Sequence, residues 1–216
     1  MKTKNLFTIY SNVNKNDPNR NTNDLYRTPP IATYLLCKYG NPPKRVVEPC
    51  AGYGNIASEL IRNGHDVVCY DLNEYPHALV DITTGVNALD LPKVMGYDGV
   101  ITNPPYSNDF PRLFAEKSVA EYDYTAMLLR LTFLEGVKRK SLFDRHPPSQ
   151  MIFFSDRIRF DSADIEPVEK KEQIGGMIAY AWFIWRRGVE ETKVKWVSMD
   201  KEYDEWRKHY EARNND

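Results

Sequence analysis

Gly99-Val100-Ile101-Thr102-Asn103-Pro104-Pro105-Tyr106 decides how this chain is read. The first four residues are an apolar run of the kind that fills a buried strand. The last four form a loop in which two prolines fix φ, and Pro105 keeps its predecessor out of the helical region. Phe110-Pro111-Arg112-Leu113-Phe114 then reads as a helix start. The tetrapeptide Asn103 to Tyr106 therefore sits at the C-terminal end of a strand, where open α/β sheets bind their ligands. It aims a carboxamide, a free carbonyl and an aromatic face at one small volume. That set suits a planar substrate carrying an amino group.

Outward from this point the pattern alternates strand and helix. Strands are predicted at Arg45–Pro49, Asp66–Asp71, Ala78–Ile82, Tyr97–Asn103, Thr125–Leu131, Gln150–Phe154 and Ile178–Trp185. Helices are predicted at Pro30–Tyr39, with Thr28 as its cap, and at Asn55–Asn63, Phe110–Glu121 and Leu134–Arg145. Val67-Val68-Cys69-Tyr70 is continuously apolar, as a parallel strand covered on both faces should be. Such alternation predicts a doubly wound sheet with right-handed crossovers and an antiparallel seventh strand. A further strand, Val194–Val197, and a charged helix, Lys201–Arg213, close the chain.

The 216 residues, 42% hydrophobic and 27% charged, fit one soluble domain with a full core. Residues 1–23 are polar and Asn-rich and read as a flexible arm; 24–216 read as a single domain. No apolar h-region or transmembrane-length run is visible, so a cytoplasmic location is expected. Cys37, Cys50 and Cys69 lack paired or metal-like spacing and are expected as free thiols. Four scattered histidines give no metal cluster. The net charge of −1 leaves a nucleic-acid partner to local basic clusters: Lys138-Arg139-Lys140 with Arg145 and His146, Arg157 and Arg159, and Arg186-Arg187. Solvated surface charge is the competing reading of each.

Glu48-Pro49-Cys50-Ala51-Gly52-Tyr53-Gly54 joins the first strand to its helix. Its glycines allow a sharp turn and close approach to a ligand. The dinucleotide fingerprint is absent, because the third glycine is missing and Glu48 would oppose a pyrophosphate. An acid there suits a cationic amine or sulfonium. Asp71, 17 positions after Gly54, ends the second strand, where an acid binds ribose hydroxyls. Asp81 could accept from an adenine amino group. A loop or cap acid is the alternative for both.

Taken in order, Tyr26-Arg27-Thr28-Pro29, Glu48 to Gly54, Asp71, Asp81-Ile82 and Asn103-Pro104-Pro105-Tyr106 resemble the S-adenosylmethionine-dependent amino-methyltransferases. The resemblance is nearest to adenine-N6 DNA methyltransferases of small phage and prophage type. Leu128 to Gly136 and Ala181 to Trp185 are similar to segments of that group, and the likeness spans roughly residues 24–187. It implies a Rossmann-like class I methyltransferase fold: a seven-stranded, mostly parallel sheet with an antiparallel last strand and helices on both faces. It implies S-adenosyl-L-methionine as cofactor, held at its methionine end by Tyr26, Thr28, Pro29, Glu48, Pro49, Ala51, Gly52 and Gly54. Asp71 and Leu72 would hold the ribose, Asp81 and Ile82 would flank the cofactor adenine, and Asn103 would border both ligands. Asn103, Pro104, Pro105 and Tyr106 would be catalytic. Tyr106, with Phe110, Phe133 and Arg139, would hold a target base flipped out of DNA, core packing being the competing reading of both phenylalanines.

Three questions stay open at this level. RNA is an alternative to DNA, and a catalytically silent subunit of the same fold is an alternative to an enzyme. With 110 residues after Tyr106, no separate target-recognition domain is expected. Recognition would then fall to residues 135–149 or 156–176, or to a partner subunit or second copy.

Overall fold

A computed structural model describes residues 26–158, 160 and 177–213. The expected arm at 1–23, Arg159 and nearly all of the expected recognition stretch 156–176 lie outside the described residues. Thirteen elements follow one another among the described residues. Helix α1 (Pro30–Gly40) leads to β1 (Arg45–Glu48), α2 (Asn55–Arg62), β2 (Asp66–Cys69), β3 (Gly99–Thr102), α3 (Phe110–Glu121) and β4 (Tyr124–Arg130). A 3-10 turn (Leu131–Leu134), α4 (Val137–Arg145), β5 (Gln150–Phe154), β6 (Tyr180–Arg186), β7 (Lys193–Val197) and α5 (Met199–Arg213) complete it.

One seven-stranded sheet runs in the order β2-β1-β3-β4-β6-β5-β7. Strands β1 to β4 are mutually parallel, β6 is antiparallel to both β4 and β5, and β7 is parallel to β5. The antiparallel strand is thus the predicted Ile178–Trp185 segment. The membership of the sheet differs from expectation at both ends. Ala78–Ile82 is not a strand; only the bridge Tyr70 to Thr83 survives there. Pro76 and His77, the latter at φ 61°, turn the chain just before the run, and the Leu79 N–H donates to the Tyr53 carbonyl (2.9 Å) rather than to β2. At the far edge β7 takes the seventh place. It is tied down where Lys193 N–H donates to Ser149 O (3.0 Å) and Thr192 Oγ1 to Pro148 O (2.6 Å).

Alternation along the strands sorts the core into two faces. Val46, Ile101, Ala126, Leu128, Ile152, Trp182 and Ile184 meet α1, α2 and α5 on one side. Val47, Val100, Met127, Leu129, Met151 and Phe183 meet α3 and α4 on the other. Each large side chain buried this way contributes roughly 1.5–3 kcal/mol. Trp182 is wholly buried and its indole N–H donates to Ala32 O (2.8 Å), so no polar atom is left stranded. Ile61 is 46% exposed, one step around the helix from the buried Leu60.

Several local details set up the site. Thr28 does not cap α1, since Pro29 occupies that position without a side-chain cap bond. Gly64, at φ 85°, closes α2 through Gly64 N–H to Ile61 O (2.8 Å) and His65 N–H to Leu60 O (3.0 Å). The single helix expected at Leu134–Arg145 is split, because Gly136 at φ 110° separates the 3-10 turn from α4. Among the described residues no helix is long and apolar enough to cross a membrane.

Candidate active site

The loops at the C-terminal ends of β1, β2, β3 and β4 converge on one region. On the β1–β2 side Glu48 is 1% exposed, and its Oε2 accepts from the Ala57 N–H (2.8 Å) in the first turn of α2. Burial pushes the Glu48 carboxyl well above the usual carboxylate range; the Ala57 N–H opposes this, and the nearby Asp71 adds to it. Asp71, 7% exposed, uses both oxygens: Oδ2 accepts from the Gly52 N–H (2.7 Å) and Oδ1 from the Asn73 N–H (2.8 Å). It therefore staples the loop after β1 to the loop after β2. Each carboxylate oxygen keeps a second lone pair for a ligand hydroxyl.

The glycines of this loop serve different ends. Gly52 and Gly54 both have positive φ, 57° and 79°. A Cβ on Gly54 would also stand 2.6 Å from Val80 Cγ2, so that glycine admits the 78–83 segment against the loop. Ile82 packs there with Ala51, Ala57 and Cys69, while Asp81 is exposed. Leu72, beside Asp71, is 61% exposed. Tyr53 and Tyr75 pair at 5.0 Å, and the Arg27 guanidinium lies 3.8 Å from the Tyr53 ring centre. Burial pushes the Cys50 thiol up, so it is held as a neutral thiol.

On the β3–β4 side the Asn103 carboxamide has a fixed orientation. Its Nδ2 donates to Thr28 Oγ1 (3.1 Å) and toward Tyr26 O (3.4 Å), and its Oδ1 accepts from the Tyr106 hydroxyl. Thr28, 2% exposed, thus meets Asn103 and not a helix end. Tyr106 OH also lies 3.1 Å from Leu128 O on β4. Pro104 is buried, and Pro105 and Tyr106 are half-buried. Tyr26, Tyr106, Tyr180 and Phe160 form a closed ring of aromatic contacts, with centroids 6.4, 6.0, 4.7 and 6.0 Å apart in turn.

Sequence reasoning missed three members of this group, Phe160, Tyr180 and Arg130. Tyr180 opens β6, and Arg130 ends β4 with its guanidinium 4.4 Å from the Tyr106 ring centre. A signal for Arg130 existed: it is the one half-buried cation that follows the wholly buried run Tyr124–Leu129 at the ligand end of a parallel strand. Three residues expected at the substrate make the following contacts within the protein. Phe133 is a core ring packed edge-on against Phe143 and Phe183. Phe110 stacks on Phe114 at 5.8 Å at the start of α3. Arg139 lies over Phe133 and donates to the Thr132 and Glu135 carbonyls, closing the turn before α4.

The basic clusters are largely engaged with the protein itself. Lys140 pairs with Asp144 (2.5 Å), Arg145 with Glu116 (3.5 Å) and Arg187 with Asp123 (2.5 Å). Arg186 donates to Gly40 O (2.6 Å) and Gln150 Oε1 (3.0 Å), and Arg157 to Met177 O (2.5 Å). Among the described residues no group of three or more His, Cys, Asp or Glu side chains could hold a metal ion.

No family model matches the chain, and no curated protein matches it in sequence. Solved structures do match. A proposed class I S-adenosylmethionine-dependent methyltransferase from Listeria monocytogenes is 15% identical over 82% of this chain and 67% of its own, at a TM-score of 0.55. A proposed RNA methyltransferase from Pyrococcus horikoshii is 16% identical over 76% of this chain and 85% of its own, at 0.48. The likeness to the Listeria protein concerns architecture, and with the strand order above it shows that the chain has the Rossmann-like class I methyltransferase fold.

Proposed function

We propose that this protein transfers a methyl group from S-adenosylmethionine to the exocyclic N6 amino group of adenine in DNA. The observation that carries the reading is the fixed Asn103 carboxamide: its oxygen stands beside an aromatic group, next to a cradle of buried acids. The donor set fits the cofactor and not a dinucleotide. Glu48, in the first loop, opposes a pyrophosphate but suits an amino group, and Asp71 accepts from ribose hydroxyls. Glu48, Ala51, Gly52 and Gly54 would hold the methionine end, with Tyr26 and Pro29 beside them; Asp71 and Leu72 would hold the ribose, and Asp81 and Ile82 the adenine. When bound, S-adenosylmethionine supplies an electrophilic methyl group on a sulfonium.

The chain's own part is acceptance and positioning. An aromatic amino nitrogen is a poor nucleophile because its lone pair is delocalised into the ring. Asn103 Oδ1 and the Pro104 carbonyl accept its two N–H groups and draw the nitrogen toward tetrahedral geometry, which localises the lone pair. Oδ1 can do this while still accepting from Tyr106, since a carbonyl oxygen has two lone pairs. The aid is orientation and charge stabilisation at the place where charge develops. No strong base is needed before attack, because the departing proton becomes acidic only as the new bond forms.

The self-engaged basic side chains support a second element of the proposal. With so many cations already paired, recognition of duplex DNA falls to residues 156–176, to a partner subunit or to a second copy. The test of the whole reading is methyl transfer from labelled cofactor to duplex DNA, single-stranded DNA, RNA and protein in parallel. Label is expected in adenine of DNA. Label in cytosine or in a polypeptide overturns the substrate assignment, and absence of cofactor binding by calorimetry overturns the enzyme.

A further inference from the structure

Arg130 is a half-buried cation in an unusual setting. Burying a charge is costly unless it is paired and hydrogen-bonded, and among the described residues no carboxylate pairs with it. Its partners are aromatic: the Tyr106 ring under the guanidinium at 4.4 Å and the Tyr180 hydroxyl. Its Nε is buried and without a hydrogen-bond partner. These neighbours favour the charged form, which burial opposes. A guanidinium has five N–H donors in a planar fork that matches an anion bearing two oxygens. The surrounding rings leave that capacity largely unused.

Its position tells which ligand would use it. The acids of the cradle stand at the ends of β1 and β2, whereas Arg130 ends β4, beyond β3 and Asn103 in the sheet. With neighbouring strands about 4.8 Å apart, that places its backbone roughly 10 Å from β1, on the substrate side of Asn103. In the same place it covers a face of Tyr106. A base and a guanidinium cannot stack on one face together.

We propose that Arg130 is a substrate-binding residue that exchanges partners: it covers Tyr106 while the site is empty, yields that face to the incoming base, and then bonds the phosphate of the nucleotide that carries the base. The inference rests on the reading of nucleic acid as substrate, and it adds the anionic contact that the self-engaged surface cations do not supply.

The test uses the full chain with S-adenosylhomocysteine present. Binding of a fluorescent, adenine-containing single-stranded oligonucleotide is followed by anisotropy across salt concentrations. R130A should weaken binding about tenfold, the scale of a hydrogen bond to a charged group. It should also make the slope of log affinity against log salt shallower by about 0.7, one phosphate contact on a single strand. R130K should keep the slope and lose several-fold in affinity, because it retains charge but not the fork. Adenosine, which has no phosphate, should bind R130A at least as well as wild type. An unchanged slope in R130A overturns the inference, as does equal weakening for adenosine and the oligonucleotide. Loss of S-adenosylhomocysteine affinity without nucleic acid overturns it too, by moving Arg130 to the cofactor side. Wild-type protein that binds no DNA or RNA sinks the substrate reading, and the inference with it. An R130A protein with depressed thermal stability shifts the comparison to R130K, whose altered slope would overturn the inference alone.

Discussion

On the β1–β2 side of the site the fixed points are carboxylates bonded to backbone N–H groups: Glu48 to Ala57, and Asp71 to Gly52 and Asn73. On the β3–β4 side they are mostly side chains bonded to side chains: Asn103 to Thr28 and Tyr106, and Arg130 over Tyr106. The first kind cannot rearrange without moving the loops. The second can be exchanged bond for bond when a ligand brings its own donors. Under the proposed function, the contrast makes the β1–β2 side a preformed cofactor cradle and the β3–β4 side a resting arrangement that an entering base would replace.

The largest effect should come from removing the acceptor itself. Asn103→Ala should lower turnover by about 10²- to 10³-fold, the scale found when one group stabilising developing charge is deleted. Cofactor affinity should stay within a few-fold, because the cradle's bonds do not involve Asn103. A comparable loss of cofactor binding by calorimetry would show that the two halves are one coupled unit, and would dissolve the contrast.

Asp71 tests the other half, and the structure says which substitution to use. Asp71→Ala removes the staple between two loops as well as any ligand contact, so lost binding would have two causes. Asp71→Asn keeps one acceptor oxygen and a similar shape. It should raise the cofactor dissociation constant by about 10- to 100-fold, the scale of hydrogen bonds to a charged group. The melting temperature should fall less than in Asp71→Ala. Equal affinity in wild type and Asp71→Asn would leave Asp71 as a staple alone.

The pH dependence separates a ligand acid from a structural one. Glu59, on α2, accepts from the Trp206 indole N–H of α5 (3.3 Å), and burial pushes its carboxyl up from 4.5 to about 7. Glu48 is raised as well. A carboxyl raised in the folded state keeps a proton that the unfolded chain has released. Its contribution to stability is therefore complete below the unfolded value and is lost as pH rises through the folded one. For Glu59 that window runs from 4.5 to about 7. Thermal stability of the protein without cofactor should fall across it, and Glu59→Gln should flatten the fall while leaving cofactor affinity alone. Glu48 should differ, since a cationic ligand favours its ionised form. Cofactor affinity should rise with pH, by about tenfold for each unit that Glu48 is shifted on binding, and Glu48→Gln should abolish that rise. A rise that survives Glu48→Gln removes Glu48 from the ligand.

What could be read from the sequence follows the same division. The cradle and the Asn103 loop are local in the chain: glycines, prolines and acids at strand ends declare themselves through backbone geometry. Arg130 and Tyr180 do not, because they meet only through the antiparallel pairing of β4 with β6. Phe160 reaches Tyr180 only through the tertiary fold. The false strand at Ala78–Ile82 has the right apolar composition, yet its backbone bonds to the Tyr53 loop, a choice made by Gly54 and Val80 in contact. The resemblance implied Arg139 and Phe133 as substrate residues, and their contacts within the protein were not legible. The break at Gly136 turned that segment into a self-capped turn over the core.

The smallest effect is the one most specific to the substrate half. Thr28 is close enough to the cradle to be read as a cofactor residue, but its hydroxyl accepts from Asn103 Nδ2 at 3.1 Å. Without that acceptor the nitrogen end of the carboxamide keeps only the longer contact with Tyr26 O (3.4 Å). Thr28→Val keeps the volume and removes the acceptor. A neutral hydrogen bond is worth about 1 kcal/mol, so turnover should fall by roughly five- to tenfold, with cofactor affinity unchanged within twofold. Double substitution with Asn103→Ala should cost no more than Asn103→Ala alone, because Thr28 acts through Asn103. If Thr28→Val instead weakens cofactor binding and leaves turnover intact at saturation, Thr28 belongs to the preformed half and the boundary between the two lies on the other side of α1's first turn.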